Sequence, residues 1–278
     1  YQLGDLGARE IVGADVLMPV VEQVRPNTRL EHVFVVRYAD LLPAVPETSP
    51  VPVPAELLEM RAAPAAVPAA LSAICEDFLT VAHSGAKPQP VTIAMDDVAL
   101  MTYTSGSTGL PKGAMLSYGN ACFKTAASVD GNDLGADDVL LAIAPLYHIA
   151  GMLMGVNVPV YSGATCVLMY RFDAAATAQA LARHRVTWWY SIAPMNVAVM
   201  QVPGVQDLDF SALRRNAVTS FGITFTEALA QQWKAYAPNA VASEAAYGLS
   251  ETHTCDTAMP VDDIRWGTQG KPVEGNRI

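Results

Sequence analysis

The stretch from Asp97 to Asn120 constrains the fold more than any other. Asp97-Val98-Ala99-Leu100-Met101-Thr102-Tyr103 is an apolar, partly β-branched run that predicts a buried strand. The chain then changes character. Thr104, Ser105, Ser107 and Thr108 bring hydroxyls, Gly106 and Gly109 punctuate them, and a lysine stands at 112. Glycine opens backbone conformations closed to other residues and lets the chain approach a ligand closely. Successive N–H groups and hydroxyls can then donate to phosphate oxygens. Lys112 adds a compact, mobile charge suited to a triphosphate or a leaving group. The spacing is not that of the phosphate loop written glycine, four residues, glycine-lysine, then Ser/Thr. Pro111 stands where its second glycine belongs, and Gly113 replaces the magnesium-binding hydroxyl. Such composition also occurs in solvated linkers. The bounding strand and the lysine favour a ligand loop instead.

Hydrophobic residues make up 51% of the 278 positions and charged residues 16%, so a sizeable core is expected. The net charge of −10 argues against a nucleic-acid partner or an anionic membrane surface. A nucleotide site in this chain must therefore create its own local positive potential. The cysteines at 75, 122, 166 and 255 fit neither zinc nor redox spacing. They read as free thiols in a reducing cytoplasm. No leader is evident, and an opening at Tyr1 without methionine reads as a piece cut from a longer chain.

From Val139 to Tyr170 there is no Lys, Arg, Asp or Glu, which raises the question of a membrane span. Pro145, His148, Asn157, Pro159 and the glycines at 151, 155 and 163 speak against it. A buried helix followed by a strand over 165–169 accounts for the pattern better, and no transmembrane segment is expected. Upstream, strands near 10–15 and 31–36 flank a helix over 16–24, a βαβ unit. Residues 43–68, with prolines at 43, 46, 50, 52, 54, 64 and 68, predict an extended surface connection. Residues 69–82 carry a helical apolar pattern ending at His83-Ser84-Gly85. Beyond the loop come a helix over 118–129, a strand from 139, a helix over 172–185 and a strand over 186–192. Trp188 and Trp189 must point to opposite faces of that last strand. A strand over 213–222, a helix over 226–237 and a short strand over 241–245 complete the alternation.

Tyr103 to Gly113 resembles the signature loop of the adenylate-forming enzymes: acyl-CoA synthetases, peptide-synthetase adenylation domains and luciferases. The family pattern Tyr-Thr-Ser-Gly-Ser/Thr-Thr-Gly-x-Pro-Lys-Gly is matched without departure. Leu146-Tyr147-His148-x-x-Gly151 resembles a second motif, whose aromatic-histidine pair sits beside the carboxylate substrate. Tyr247-Gly248-Leu249-Ser250-Glu251 resembles a third, Tyr-Gly-x-Thr/Ser-Glu. In chemical terms Tyr247 offers a flat face to stack on adenine. Gly248 permits a tight turn, Ser250 a hydroxyl for the α-phosphate, and Glu251 a hard oxygen for Mg²⁺. The turn at Thr219-Ser220-Phe221-Gly222-Ile223 departs from the family's small-residue pattern along the adenine, which leaves mainly Gly222 carried over.

The resemblance implies an α/β fold of layered, mostly parallel sheets flanked by helices: part of the N-terminal AMP-binding domain, spanning 1–278, without the lid domain. The implied reaction joins a carboxylic acid to ATP, giving acyl-AMP and pyrophosphate, then to CoA, with Mg²⁺ and in the cytoplasm. It assigns Thr104, Ser105, Gly106, Ser107, Thr108, Gly109, Lys112, Gly222, Tyr247, Gly248 and Ser250 to the nucleotide. Glu251 goes to the metal, and Lys112, Glu251 and His148 to catalysis or alignment. A medium or long fatty acid is the substrate it favours, and it allows a homodimer. An aryl-acid ligase or a fatty acyl-AMP ligase serving a carrier protein stays open, as does a non-catalytic nucleotide- or acyl-binding module for these residues alone.

Overall fold

A computed structural model describes residues 1–43, 53–62, 67–106 and 109–278. The chain forms two compact units, Tyr1–Thr92 and Ile93–Ile278.

The first unit begins with α1 (Gln2–Leu6) and β1 (Glu10–Ala14). Then come α2 (Met18–Val24) and β2 (His32–Val36), and β1 and β2 pair in parallel as the βαβ pattern requires. Met18, Val21, Val33, Val35 and Leu71 form its buried core. Two expectations are corrected here. The proline-rich stretch contains a helix, α3 (Ala55–Ala62), whose Leu57 is buried, so it is not extended throughout; 44–52 and 63–66 lie outside the described residues. The stretch 69–82 is not one helix. Its middle forms β3 (Cys75–Asp77), which adds in parallel to β2, and α4 (Phe78–Ala82) starts anew after it. Asp77 explains the restart, because its carboxylate accepts from the Thr80 N–H at 2.7 Å as an N-cap.

The second unit opens with β4 (Val98–Thr104) and β5 (Lys112–Ser117), paired antiparallel. Ser117 then caps α5 (Tyr118–Gly131) in a reciprocal capping box with Asn120. Next come β6 (Val139–Ala142), a helical run made of α6 (Ile149–Met152), a π-turn at Leu153–Asn157 and α7 (Val158–Ser162), and β7 (Thr165–Leu168). The charge-free stretch is thus a parallel crossover, and no helix among the described residues is long and apolar enough to cross a membrane. Then follow α8 (Ala174–Arg183), β8 (Trp188–Ile192), α9 (Ala193–Met200), β9 (Arg215–Thr219), α10 (Glu227–Lys234) and β10 (Val241–Glu244). A short pair, β11 (Thr257–Ala258) and β12 (Lys271–Pro272), closes the chain.

The main sheet is five-stranded and parallel, in the order β10-β9-β8-β6-β7. β6 reads as an unbroken apolar run because both of its faces are covered. On one face Trp189, Leu141 and Val218 pack with residues of α8, α9 and α10. Trp189 and Phe210 each contact the Trp233 ring, at centroid distances of 5.9 and 6.2 Å. On the other face Trp188, Leu140 and Ala217 meet Leu153, Met154 and Val158 of the helical run. At one end, Arg214 clamps Asp138 with two hydrogen bonds of 3.1 and 2.9 Å, and Thr187 donates to the same carboxylate at 2.6 Å. Burial raises the Asp138 pKa, but the Arg214 and Thr187 bonds outweigh it and hold the carboxyl below its usual range.

Candidate nucleotide and acid site

The signature loop hangs between β4 and β5. Strand pairing runs from Val98↔Ser117 to Thr104↔Lys112, so the hairpin fixes both ends of the loop. The sequence reading ended the ordered strand at Tyr103 and did not anticipate β5. Gly106 adopts φ +60°, where a side chain is strained. Ser105 and Gly109 are exposed, while Ser107 and Thr108 lie outside the described residues. Lys112 is exposed and its side chain makes no hydrogen bond or ion pair with any described residue, so its charge is available.

The third motif comes back to this loop. Tyr247 follows β10 with its ring 46% exposed, and its backbone is held by Asp256 and Thr257, whose N–H groups donate to its carbonyl. At Gly248 a Cβ would fall 2.4 Å from the Cys255 nitrogen, so only glycine fits that turn. Ser250 and Glu251 sit in a short 3₁₀ turn, and Thr104 Oγ1 donates to Glu251 Oε1 at 3.4 Å. Residues 147 positions apart therefore meet at one point.

A buried ion pair secures this arrangement. Lys124 of α5 donates to Asp256 Oδ1 at 2.7 Å and to the Cys255 carbonyl at 3.2 Å. Thr252 donates to the other Asp256 oxygen. The signature loop runs directly into β5 and α5, so Lys124 ties that element to the segment bearing Glu251. His253, fully buried, follows, and neither of its ring nitrogens has a partner among the described residues. Burial first, then the Lys124 charge, depresses its pKa.

The turn after β9 is pinned separately. Ser220 donates its N–H to Glu244 Oε1 at 3.0 Å and its hydroxyl to Oε2. Gly222 is exposed in this turn beside the exposed Phe221.

A cavity of about 150 Å³ lies between the main sheet, α5 and the helical run. Its walls include His148, Trp188, Tyr190, Arg215, Thr219 and Gly248. His148 itself is exposed and caps the helical run, its Nδ1 accepting from the Ala150 N–H at 3.3 Å. Tyr147 is 85% exposed and does not line the cavity. Trp188 thus faces the cavity while Trp189 is core.

The fold therefore collects Thr104, Lys112 and the 247–251 motif at one loop cluster, with His148 and Gly248 on the adjoining cavity. Sequence reasoning missed Lys124, Asp256, Glu244 and Arg215. Lys124 was detectable as a lone charge amid Ala121, Cys122, Phe123, Ala126 and Ala127; the partners of the others are set only by tertiary contacts.

A family model described as AMP-binding enzyme matches residues 1–278, and the chain belongs to that family. It is 31% identical over 189 residues to 4-coumarate–CoA ligase 3 of Arabidopsis thaliana, covering 66% of this chain and 32% of that protein. Feruloyl-CoA synthase of an Amycolatopsis species is 37% identical over 128 residues, covering 46% and 26%. The chain thus spans about a third of the length of these curated relatives. Among solved structures, an anthranilate CoA ligase in complex with anthranoyl-AMP superposes with TM-score 0.71 at 22% identity, covering 99% of this chain and 47% of that one. A long-chain-fatty-acid-CoA ligase from Archaeoglobus fulgidus gives 0.72 at 22%, covering 97% and 48%. These two likenesses show the fold alone, an α/β domain.

Proposed function

We propose that the chain is the acid- and nucleotide-binding part of an AMP-forming acid–thiol ligase. The approach of Thr104 to Glu251 supports this reading, because it brings the glycine- and hydroxyl-rich loop to a carboxylate, with Lys112 paired across the hairpin from Thr104. ATP would lie with its adenine against Tyr247 and the turn at Gly222, and its phosphates along Thr104, Ser105, Gly106, Ser107, Thr108 and Gly109. Lys112 and Ser250 would supply charge and a hydroxyl to the phosphates. No cluster of three or more His, Cys, Asp or Glu side chains able to hold a metal occurs among the described residues. One exposed carboxylate nevertheless fits Mg²⁺, which commonly binds through one or two carboxylates plus substrate phosphates. Bound at Glu251, the ion would neutralise charge on the departing pyrophosphate.

The acid needs no activating base, since a carboxylate is already a nucleophile at neutral pH. The chain's contribution is alignment and charge stabilisation at the α-phosphorus. His148, at the cavity wall, lines the path of the acid. CoA then takes the acyl group, in a cytoplasm that keeps the four free thiols reduced.

The family resemblance favours medium or long fatty chains, and the apolar helical run is consistent with them. The cavity supports a more compact acid, because about 150 Å³ is the size of an engineered cavity that holds benzene. The relatives named for 4-coumarate and feruloyl-CoA fit that reading.

Acid-dependent exchange of labelled pyrophosphate into ATP, measured on the complete protein, tests the proposal. Glu251→Gln should lower exchange by about 10²- to 10³-fold, as expected for loss of a group that stabilises transition-state charge. Lys112→Ala should weaken ATP binding while leaving the melting curve in place. Undiminished exchange in Glu251→Gln would sink the assignment.

A further inference from the structure

Arg215, the first residue of β9, lines the cavity and is only 4% exposed. Its Nη1 donates to the Val241 carbonyl at 3.2 Å and to Ser243 Oγ at 2.8 Å. Neither Nε, which is buried, nor Nη2 has a partner among the described residues. Among the described residues no carboxylate pairs with it, and no Asp or Glu lines the cavity. Burial alone pushes its pKa down to about 10, which leaves the guanidinium charged at neutral pH. A charge placed so deep without a counter-ion is costly unless something else supplies one. Its neighbour Arg214 shows the contrast, being clamped bidentately on Asp138.

Position adds direction. The reacting carboxylate belongs near the C-terminal ends of β9 and β10, where Ser220, Gly222 and the 247–251 motif gather. Arg215 stands at the other end of β9, roughly 13 Å of strand from Thr219 at about 3.3 Å per residue. It therefore meets the end of the acid that does not react.

Resting on the ligase reading above, we propose that Arg215 sets specificity for a compact acid bearing a second, anionic oxygen group at its far end. Nη1 is occupied and Nε is sealed in the protein, so Nη2, unpartnered among the described residues, is the donor that remains for that group. An apolar tail of the same shape would leave the charge buried and unpaired.

The test uses acids matched in shape, one ring pair and one linear pair: terephthalate against 4-methylbenzoate, and suberate against nonanoate. Adenylation by the complete protein is followed by pyrophosphate release. The diacid should be favoured in kcat/KM by about a hundredfold in at least one pair, as for other buried charge pairs. Arg215→Met should abolish or invert that preference while ATP binding is unchanged, and Arg215→Lys should restore part of it. A merely structural arginine would lower turnover of both acids alike. Equal or reversed preference in the wild-type protein overturns the proposal whether or not the variants fold, and leaves the ligase reading intact. Absence of adenylation with every acid of a broad panel, despite ATP binding, would remove the ligase reading and this one with it.

Discussion

The two faces of the main sheet are built from the same strands and solve opposite problems. On the Trp189 face the amide and hydroxyl side chains close on one another, while the indole N–H groups of Trp189 and Trp233 have no partner among the described residues. Ser191 donates to Asn216, Asn196 to Ser191, and Asn216 back to Asn196, at 2.8, 2.7 and 2.5 Å. Around that ring the packing is aromatic and aliphatic. The Trp188 face packs in part on the helical run, yet leaves a cavity and an arginine whose donors are partly unused. A face packed solid around a closed ring of side-chain hydrogen bonds stabilises, and a face that keeps a charged donor beside a cavity is free to recognise.

The largest expected effect breaks the closed face. Trp233→Ala removes the ring that both Trp189 and Phe210 touch and should destabilise the protein by about 3–5 kcal/mol in a urea titration. A loss below about 1 kcal/mol would mean that this face is not the packed one. A similar cost of about 3–5 kcal/mol is expected for Lys124→Met, which strands Asp256 as a buried, unpaired carboxylate. Adding Asp256→Leu should recover part of that loss, because the pair itself costs desolvation. No recovery in the double variant would show that Lys124 acts through something other than Asp256.

The smallest effect sharpens the comparison through pH. The fold disfavours protonation of His253, whose ordinary value is 6.5. The unfolded chain therefore binds more protons at and below that value, so stability rises with pH through this window and is lost as pH falls below it. The slope from one histidine is at most about 1.4 kcal/mol per pH unit. Stability measured between pH 5 and 7 should show it, and His253→Leu should flatten it. An unchanged slope would exclude His253 as its source, and Asp138 would not replace it, because its lowered pKa costs stability only at more acid pH.

Most of the architecture was legible in the residues, and the failures have physical causes. The run Val139 to Ala142 and the pair Trp188-Trp189 announce doubly covered strands because nothing polar interrupts them. β3 did not, since three residues cannot establish a period and their extended state comes from pairing with β2. β5 was hidden because Lys112 and Gly113 read as the tail of the loop, whereas pairing with β4 makes them strand. α3 was masked by the prolines around it. At the site, Thr104, Tyr247 and Glu251 could be picked out by motif, and their gathering follows from topology. Lys124 and Arg215 needed the structure, because a buried charge is defined by what surrounds it.

The crossover from β6 to β7 has a consequence for how the chain is made. Its strands pair only after the whole uncharged helical run has been laid across the sheet. Until then, Val139 to Tyr170 presents an apolar surface with no lysine, arginine or acid to repel another copy. Flanking charges such as Asp137, Asp138 and Arg171 are the nearest gatekeepers against self-association. Dilution and low temperature during refolding therefore bear on yield more than native stability does, because the hazard belongs to the nascent chain and disappears once the sheet has closed.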